Sequence, residues 1–264
     1  MQNPPKLVPA LVSGIAILRL ISQSNEPLRV AQISQSLGLN PSTCFNILKT
    51  FTYLGWLRFD PVAKHYSLAL GVLEVASSLL RQGAIPLIRP YMEQVAQAYG
   101  VTVMLWQRTS AYRLTLVDKT EPMDAAIRVQ LVIGQRFPAL IGAIGRSFAA
   151  SVGMDRAGLQ EQFRTLRWQA APTFEEYWQG VESARRLGYG TDRENFQIGV
   201  NGIGVMIDSR SGVPSMGLST IWVGNRFSEA QLDAIGTRLR ELAAELTRNT
   251  RERELSLERA RSLG

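Results

Sequence analysis

One stretch of the chain, NPSTCFNILKTFTYLGW at residues 40–56, constrains the fold more than any other. Its apolar residues recur at intervals of three and four, so it predicts an amphipathic helix. The apolar stripe consists of Cys44, Ile47, Leu48, Phe51 and Leu54, and the opposite stripe of Ser42, Thr43, Asn46, Lys49 and Thr50. This outer stripe is small and hydrogen-bonding, without the mixture of Glu and Lys that a merely solvated helix carries. It therefore indicates a surface that contacts a polar partner.

The segments on either side of this helix predict a winged helix-turn-helix. Residues 9–22 have the pattern of a helix whose inner face contains Val12, Ile15, Ala16 and Leu20, and residues 30–37 that of a short helix ending at Gly38. Asn40 can cap the next helix, and Pro41 suits its first turn. After Trp56, the turn-rich sequence DPVAKH separates two short apolar runs, which predicts a β-hairpin. In such a unit the second helix enters the DNA major groove.

The residue types on the outer stripe match the chemistry of DNA. Hydroxyl groups near a helix N-terminus suit phosphates or bases, and Asn46 can pair bidentately with adenine. Lys49 is long enough for a phosphate, and the hairpin carries Lys64 and His65 where a wing touches the neighbouring backbone. The predicted DNA-contacting residues are thus Ser42, Thr43, Asn46, Lys49, Thr50, Lys64 and His65. The alternative for each of them is an ordinary surface polar group.

Composition narrows the partners and the compartment. The 264 residues carry a net charge of +7 and a pI near 9.9, which favours an anionic partner, although other basic proteins share these values. A single cysteine allows no internal disulfide. The sequence shows neither a secretory signal nor an apolar run of membrane-spanning length, so we expect a cytoplasmic protein that does not bind a membrane.

The rest of the chain predicts an α+β fold with four segments. Residues 1–70 form the winged helix-turn-helix domain, 71–84 a helical linker, 85–249 an effector domain with an antiparallel sheet, and 250–264 a charged tail. Exposed apolar residues of the linker helix, Leu73, Ala76 and Leu80, are expected at a dimer contact. In the second domain, period-two patterns predict strands at 101–108, 111–120 and 126–133 and a strand pair within 202–223. Helices are predicted at 142–152, 155–165, 173–187 and 228–248.

These segments together resemble the IclR family of bacterial transcriptional regulators over nearly the whole chain. The resemblance lies in AQISQSLGLNPSTCFNILKTFTYLGWL near the N-terminus, in FPALIGAIGRSFAA at residues 137–150, and in LGYGTDRENFQIGVNGIGVMID at residues 187–208. It implies a winged helix-turn-helix, a GAF-like effector domain, and a homodimer or dimer of dimers that binds double-stranded DNA at an imperfect palindrome. It also implies a small organic-acid effector held between the sheet and the GAIGR loop.

The chain departs from the family pattern both in its DNA-reading helix and in the pocket. Asn46 stands where the family commonly has Arg, so the preferred operator should differ. Gly142, Gly202 and Ile221 replace a Thr, a Cys and a Ser, which indicates a roomier, less polar pocket suited to an aromatic acid. The expected effector-binding residues are Ala143, Gly145, Arg146, Asp192, Asn201, Gly202, Ser219 and Ile221. Arg146, in place of Lys, either attracts a carboxylate or is structural, and a ligand-free domain used for protein–protein interaction is the alternative.

The sequence offers little support for an enzyme. His65 lies in the predicted wing and Cys44 on the buried stripe, so no nucleophile and base can be paired and no catalytic, metal or cofactor site is expected. The glycine-rich GVNGIG at residues 199–204 leads into a strand, whereas a dinucleotide site needs the start of a helix. Two further alternatives are a winged helix that binds protein and a redox sensor at Cys44, the latter disfavoured because buried thiols are inert.

Overall fold

The chain forms two compact units, Met1–Gly83 and Ala84–Gly264. The computed structural model describes residues 6–24, 26–75, 85–124, 129, 131–208 and 214–262, with side chains up to residue 248. Each unit has its own hydrophobic core. The first carries helices and a hairpin, and the second carries a six-stranded sheet.

The first unit contains the three predicted helices and the predicted hairpin. Its elements are α1 (Pro9–Gln23), α2 (Val30–Leu37), α3 (Pro41–Tyr53), β1 (Leu57–Asp60) and β2 (His65–Leu68). Gly38 ends α2 at φ 62°, a conformation that glycine adopts without steric cost. The Asn40 Oδ1 atom accepts a hydrogen bond from the Ser42 amide at 3.0 Å, which caps α3 as expected. β1 and β2 are antiparallel, so a winged helix-turn-helix is confirmed.

The core of the first unit forms where the three helices and the hairpin meet. α3 contributes Cys44 and Leu48, both fully buried. α1 buries Gly14, Ile17 and Ile21. Of the predicted face, Ala16 and Leu20 are half-buried, with Leu20 packed against this core, whereas Val12 and Ile15 are exposed. The reason is close packing: a side chain at Gly14 would lie 3.1 Å from the Phe51 ring, so only a very small residue lets α1 approach α3. Leu54, predicted on the inner stripe of α3, is exposed at its end.

The second unit is built on one antiparallel sheet of six strands. Its strands are β3 (Thr102–Ser110), β4 (Arg113–Thr120), β5 (Arg136–Pro138), β6 (Gly190–Arg193), β7 (Val200–Ile207) and β8 (Met216–Val223). Its helices are α4 (Ile85–Tyr99), α5 (Gly142–Ser151), α6 (Arg156–Phe163), α7 (Phe174–Leu187) and α8 (Glu229–Ser262). The strand order is β5-β4-β3-β8-β7-β6. Helices α4 and α8 share a core with one face of the sheet, and α5 and α7 with the other. The α+β class with an antiparallel sheet is confirmed.

Some boundaries differ from those the sequence predicts. The strand expected at 126–133 falls partly outside the described residues. Its described end is a turn, in which the Gln135 amide donates a hydrogen bond to the Val132 carbonyl. The strand at this edge of the sheet is instead β5. α8 continues to Ser262, so the charged tail expected from residue 250 is helical up to that residue. Residues 71–75 are helical and Leu73 is exposed, whereas Ala76 and Leu80 lie outside the described residues.

Candidate functional site

The outer face of α3 is the first candidate site. Ser42, Thr43, Asn46, Lys49 and Thr50 are all exposed on it, as the sequence predicts. The helix is fixed from behind by Cys44 and Leu48, and burial raises the pKa of the Cys44 thiol, which keeps it protonated and unreactive. This face therefore presents polar groups on a rigid support.

The hydrogen bonds of α3 show which of these groups are free. Ser42 Oγ donates to Asn40 Oδ1 at 2.8 Å, and Thr50 Oγ1 donates to the Asn46 carbonyl at 2.8 Å. These two hydroxyl groups keep only their acceptor sites for a partner. Within the described part of the chain, no hydrogen bond or ion pair engages the Asn46 carboxamide or Lys49 Nζ, so these groups are available to a partner.

The hairpin places His65 beside a cation, Arg29, that the sequence analysis did not single out. Asp60 Oδ1 accepts from the Ala63 and Val62 amides, which lowers the pKa of this carboxyl and closes the turn. Lys64 is exposed there, whereas His65 Nε2 accepts a hydrogen bond from Arg29 Nε at 3.1 Å. Arg29 is exposed at the N-cap of α2. A cation directly before a predicted helix, where the helix end disfavours positive charge, is the feature of the sequence that could have marked it.

A cavity of about 420 Å³ in the second unit is the second candidate site. It lies between the sheet, the N-terminus of α5 and the loop that joins β6 to β7. One wall is aromatic: the Trp106 and Phe137 ring centres are 5.3 Å apart, and those of Phe137 and Phe196 are 6.0 Å apart, both edge-to-face. The described lining also includes apolar residues from several elements, among them Met104, Leu131, Ile141, Ile144, Ile198 and Ile221.

The polar groups of the cavity are few and are held in place. Ser219 Oγ accepts a hydrogen bond from Trp106 Nε1 at 2.8 Å, which leaves the hydroxyl hydrogen free to be donated to a ligand. The first residues of α5, Gly142, Ala143 and Ile144, line the cavity at the end of the helix where amide groups lack intrahelical acceptors. An anionic or hydrogen-bond-accepting group fits this end of the cavity.

Glycines bring α5 against the sheet. A Cβ atom at Gly204 would lie 2.6 Å from Ile144 Cα, and one at Gly190 would lie 2.5 Å from the Ala143 carbonyl oxygen. At Gly202 it would lie 2.8 Å from the Thr220 carbonyl oxygen. Gly202 and Gly204 of GVNGIG thus serve close packing within β7, whereas Gly199 precedes the strand at φ 78°. The motif leads into a strand, as the sequence predicts, and does not open a helix.

The structure places six of the eight expected effector-binding residues at the cavity. These are Ala143, Asp192, Asn201, Gly202, Ser219 and Ile221. Gly145 is not among the lining residues, because it packs on the preceding turn: a Cβ atom there would lie 2.1 Å from the Leu140 carbonyl carbon, and its amide donates to Ile141. Trp106, Phe137 and Phe196 were missed; Trp106 stands in a predicted strand, but nothing in the sequence marks which face it occupies.

Arg146, expected to attract a carboxylate, is instead buried behind the cavity wall. Only 4% of it is exposed, and its guanidinium donates to Asp192 Oδ1 at 2.6 Å and to Asn195 Oδ1 at 2.7 Å. The Tyr177 and Trp168 ring centres lie 5.1 and 5.9 Å from its Cζ atom, and burial raises the pKa of the Tyr177 phenol. Arg146 therefore joins α5 to β6 and to the following loop. This is the structural role that the sequence left open beside the attraction of a carboxylate.

Other kinds of site are not evident in the described part of the chain. No group of three or more His, Cys, Asp and Glu residues is placed there to hold a metal ion. None of the helices described is both long and apolar enough to cross a membrane. A second cavity, of about 440 Å³, has a mixed lining that includes the exposed Arg193–Glu229 ion pair and the apolar Trp222, Phe227 and Leu232. It shares Asp192, Asn201 and Gly202 with the first cavity.

The winged helix-turn-helix and the separate cavity-bearing unit define a DNA-binding protein with a ligand-sized pocket. Comparison with known families agrees: the IclR helix-turn-helix domain matches residues 10–61, and the C-terminal domain of bacterial IclR transcriptional regulators matches residues 76–248. The chain belongs to the IclR family of bacterial transcriptional regulators. The Escherichia coli repressor AllR is 25% identical over 246 residues, covering 90% of this chain and 89% of AllR.

Solved structures show the same fold. An IclR transcriptional regulator from Alicyclobacillus acidocaldarius superposes with a TM-score of 0.80 at 22% identity, covering 92% of this chain and 98% of that one. An IclR homologue from Microbacterium hydrocarbonoxydans, solved as a complex with 4-hydroxybenzoate, gives a TM-score of 0.74 at 18% identity and covers 92% of this chain and 99% of that one. At this identity the likeness concerns the fold alone.

Proposed function

We propose that the chain is a sequence-specific DNA-binding regulator whose operator affinity is modulated by a small aromatic acid. The observation that carries the DNA-binding part is the outer face of α3, where Asn46 and Lys49 are exposed and unpaired in an IclR-family helix-turn-helix. Asn46 suits an adenine edge and Lys49 a phosphate. Thr43 and the wing residue Lys64 add exposed polar contacts on either side.

The assembly we propose is a homodimer, or a dimer of dimers, on an imperfect palindrome. One recognition helix reads only a few base pairs, and helix-turn-helix proteins obtain specificity by presenting two such helices to two half-sites. The half-site separation then follows from the spacing of the two α3 helices.

The effector class follows from the cavity. An aromatic ring fits the wall formed by Trp106, Phe137 and Phe196, and a cavity of about 420 Å³ suits a one-ring compound. Its carboxylate would accept hydrogen bonds from the first amides of α5 and from the Ser219 hydroxyl. The relative solved with 4-hydroxybenzoate, which has the same fold, supports this ligand class.

A second candidate for the C-terminal unit is protein–protein interaction without a ligand. The observation in its favour is a set of exposed apolar side chains that includes Met123, Val132, Ile133 and Ile198, the last of which lines the cavity. Covering such side chains with a protein partner would remove apolar surface from water, which favours association.

Fluorescence anisotropy with the upstream intergenic DNA and a scrambled duplex tests the proposal. We expect tight binding to one duplex only, a steep loss of affinity between two salt concentrations, and a shift of that affinity by a member of a panel of aromatic acids. Sequence-dependent binding without an effect of any acid would favour the protein-interaction alternative. If both duplexes are bound equally, the operator is sought by selection from genomic fragments. If that selection enriches no sequence, the DNA-binding proposal is refuted.

A further inference from the structure

Phe45 is an apolar side chain on the otherwise polar outer face of α3. It is 48% exposed, more than any other aromatic residue of α3 except Tyr53 at the end of the helix. It lies three residues after Ser42 and four before Lys49, so on a helix it adjoins both of them. The ring therefore sits inside the face that carries the proposed DNA contacts.

The interior of the unit does not use this ring. Its neighbours Cys44 and Leu48 fill the core, and Phe45 belongs neither to that core nor to any aromatic pair among the described residues. Single exposed apolar residues are common on protein surfaces and need no partner. Phe45 differs because it adjoins Ser42 and Lys49, two of the proposed DNA contacts, so DNA bound along this face would also cover the ring.

We propose that Phe45 contacts the C5-methyl group of a thymine in the major groove and thereby selects a thymine in each half-site. This inference rests on the proposed DNA-binding function and adds to it a specificity that Asn46 and Lys49 cannot supply. A phenyl ring neither donates nor accepts a conventional hydrogen bond, so it cannot read the polar edge of a base. Among the four bases only thymine presents a methyl group in the major groove, and apolar side chains are the contacts that recognise it.

Replacement of thymine by deoxyuridine isolates this contact, because it removes the methyl group and leaves base pairing unchanged. The operator selected from genomic fragments is remade with one deoxyuridine at a time, and the affinities of the full-length protein and of Phe45→Ala are measured by anisotropy. We expect one position per half-site at which the wild-type affinity falls about fourfold, the worth of one buried methyl group. At that position Phe45→Ala should bind both duplexes equally.

Two further variants serve as controls. Leu11→Ala truncates another exposed apolar residue, on α1, and should keep the fourfold effect. Phe45→Leu retains an apolar group and should keep part of the deoxyuridine effect. Circular dichroism checks that each variant is folded.

Two results would overturn the inference. One is a wild-type protein that binds its operator specifically but is indifferent to deoxyuridine at every position; the other is an undiminished effect in Phe45→Ala. Either result would leave the DNA-binding proposal intact, because specific, salt-dependent binding is measured in the same titrations. A wild-type protein that shows no specific DNA binding would instead refute the proposed function itself.

Discussion

Asn46 and Lys49 share one exposed face of α3 but should contribute differently to binding. Asn46→Ala removes a bidentate donor and acceptor, so discrimination at one base pair should fall by about 1–3 kcal/mol. Lys49→Ala removes a charge that pairs with a phosphate, so all sequences should be bound more weakly and the salt slope should fall by about one. Anisotropy titrations against single-substitution operators at several salt concentrations separate the two effects.

Each of these variants is the control for the other. If Asn46→Ala leaves both the selected operator and its affinity unchanged, the assignment of the α3 face is wrong. If Lys49→Ala changes the preferred base at one position only, the lysine contacts a base instead of a phosphate.

Gly180, on α7, provides the space for the Arg146 guanidinium. A Cβ atom there would lie 2.8 Å from Arg146 Nε and 2.9 Å from its Cδ. Arg146 cannot move aside cheaply, because it is buried and bonded to Asp192 and Asn195. Gly180→Ala should therefore lower the free energy of unfolding by about 1–3 kcal/mol, as overpacking does, although helix propensity alone would raise it by about 1 kcal/mol.

Urea denaturation measures this change, and Gln179→Ala is the matched control. Gln179 is exposed on the same helix, so its truncation should alter the free energy of unfolding by no more than about 0.5 kcal/mol. A Gly180→Ala protein more stable than the wild type would show that Arg146 is not confined as described.

At the scale of elements, a hydrogen bond joins Tyr189, the residue before β6, to α8. The Tyr189 hydroxyl donates to Asp233 Oδ1 at 2.7 Å, and the ring lies against Gly236. Tyr189→Phe should reduce the free energy of unfolding by about 0.5–1.5 kcal/mol at neutral pH. Burial, together with this hydrogen bond, raises the pKa of Tyr189 from 10.0 to about 12.

The sign of the pH dependence follows from the raised pKa. Because the folded protein holds this proton more tightly than the unfolded chain, the stabilisation is complete below pH 10 and is lost as the pH rises towards 12. Urea denaturation at neutral pH and near pH 11 measures the difference in free energy of unfolding between the wild type and Tyr189→Phe. We expect this difference to be smaller near pH 11. A constant difference between the two proteins would contradict the assignment.

The elements that the sequence predicts best are those with a strong period and clear ends. α3 has both, with Asn40 and Pro41 at its start, and the hairpin has a turn-rich centre between apolar runs. The inner face of α1 was predicted only in part, because Val12 and Ile15 are as apolar as Ile17 and only the packing of Gly14 on Phe51 selects the face. β5 has three residues, too few for a pattern, and its pairing with β4 defines it.

At the scale of the whole molecule, the site could be predicted in position but not in detail. The resemblance places Asp192, Gly202 and Ser219 at the pocket, because their motifs occupy neighbouring strands. It does not say which way a side chain points on a short helix, so Arg146 was expected at the cavity and lies behind it. The aromatic wall depends on strand register and on a loop that brings Phe196 to the sheet, neither of which is encoded locally.

The cavity and the outer face of α3 lie in separate units, so the proposed regulation requires a coupling free energy between them. By linkage, an acid that changes operator affinity by a given factor must have its own affinity changed by the operator by the same factor, typically 5- to 150-fold. We expect titrations of the acid with and without saturating operator to return the factor found in titrations of the operator with and without acid. Different factors would show that the acid acts elsewhere or on an aggregate.

Ser219→Ala separates effector binding from DNA binding in the same measurements. Loss of one hydrogen bond to the acid should lower the affinity of the protein for the acid by roughly 2- to 13-fold. Operator affinity without acid should stay unchanged, because Ser219 lies in the cavity of the second unit. At saturating acid the coupling factor should return, since the variant alters the affinity of the acid and not the two states that it selects. A variant that loses the coupling while binding the acid normally would instead make Ser219 part of the transmission between the units.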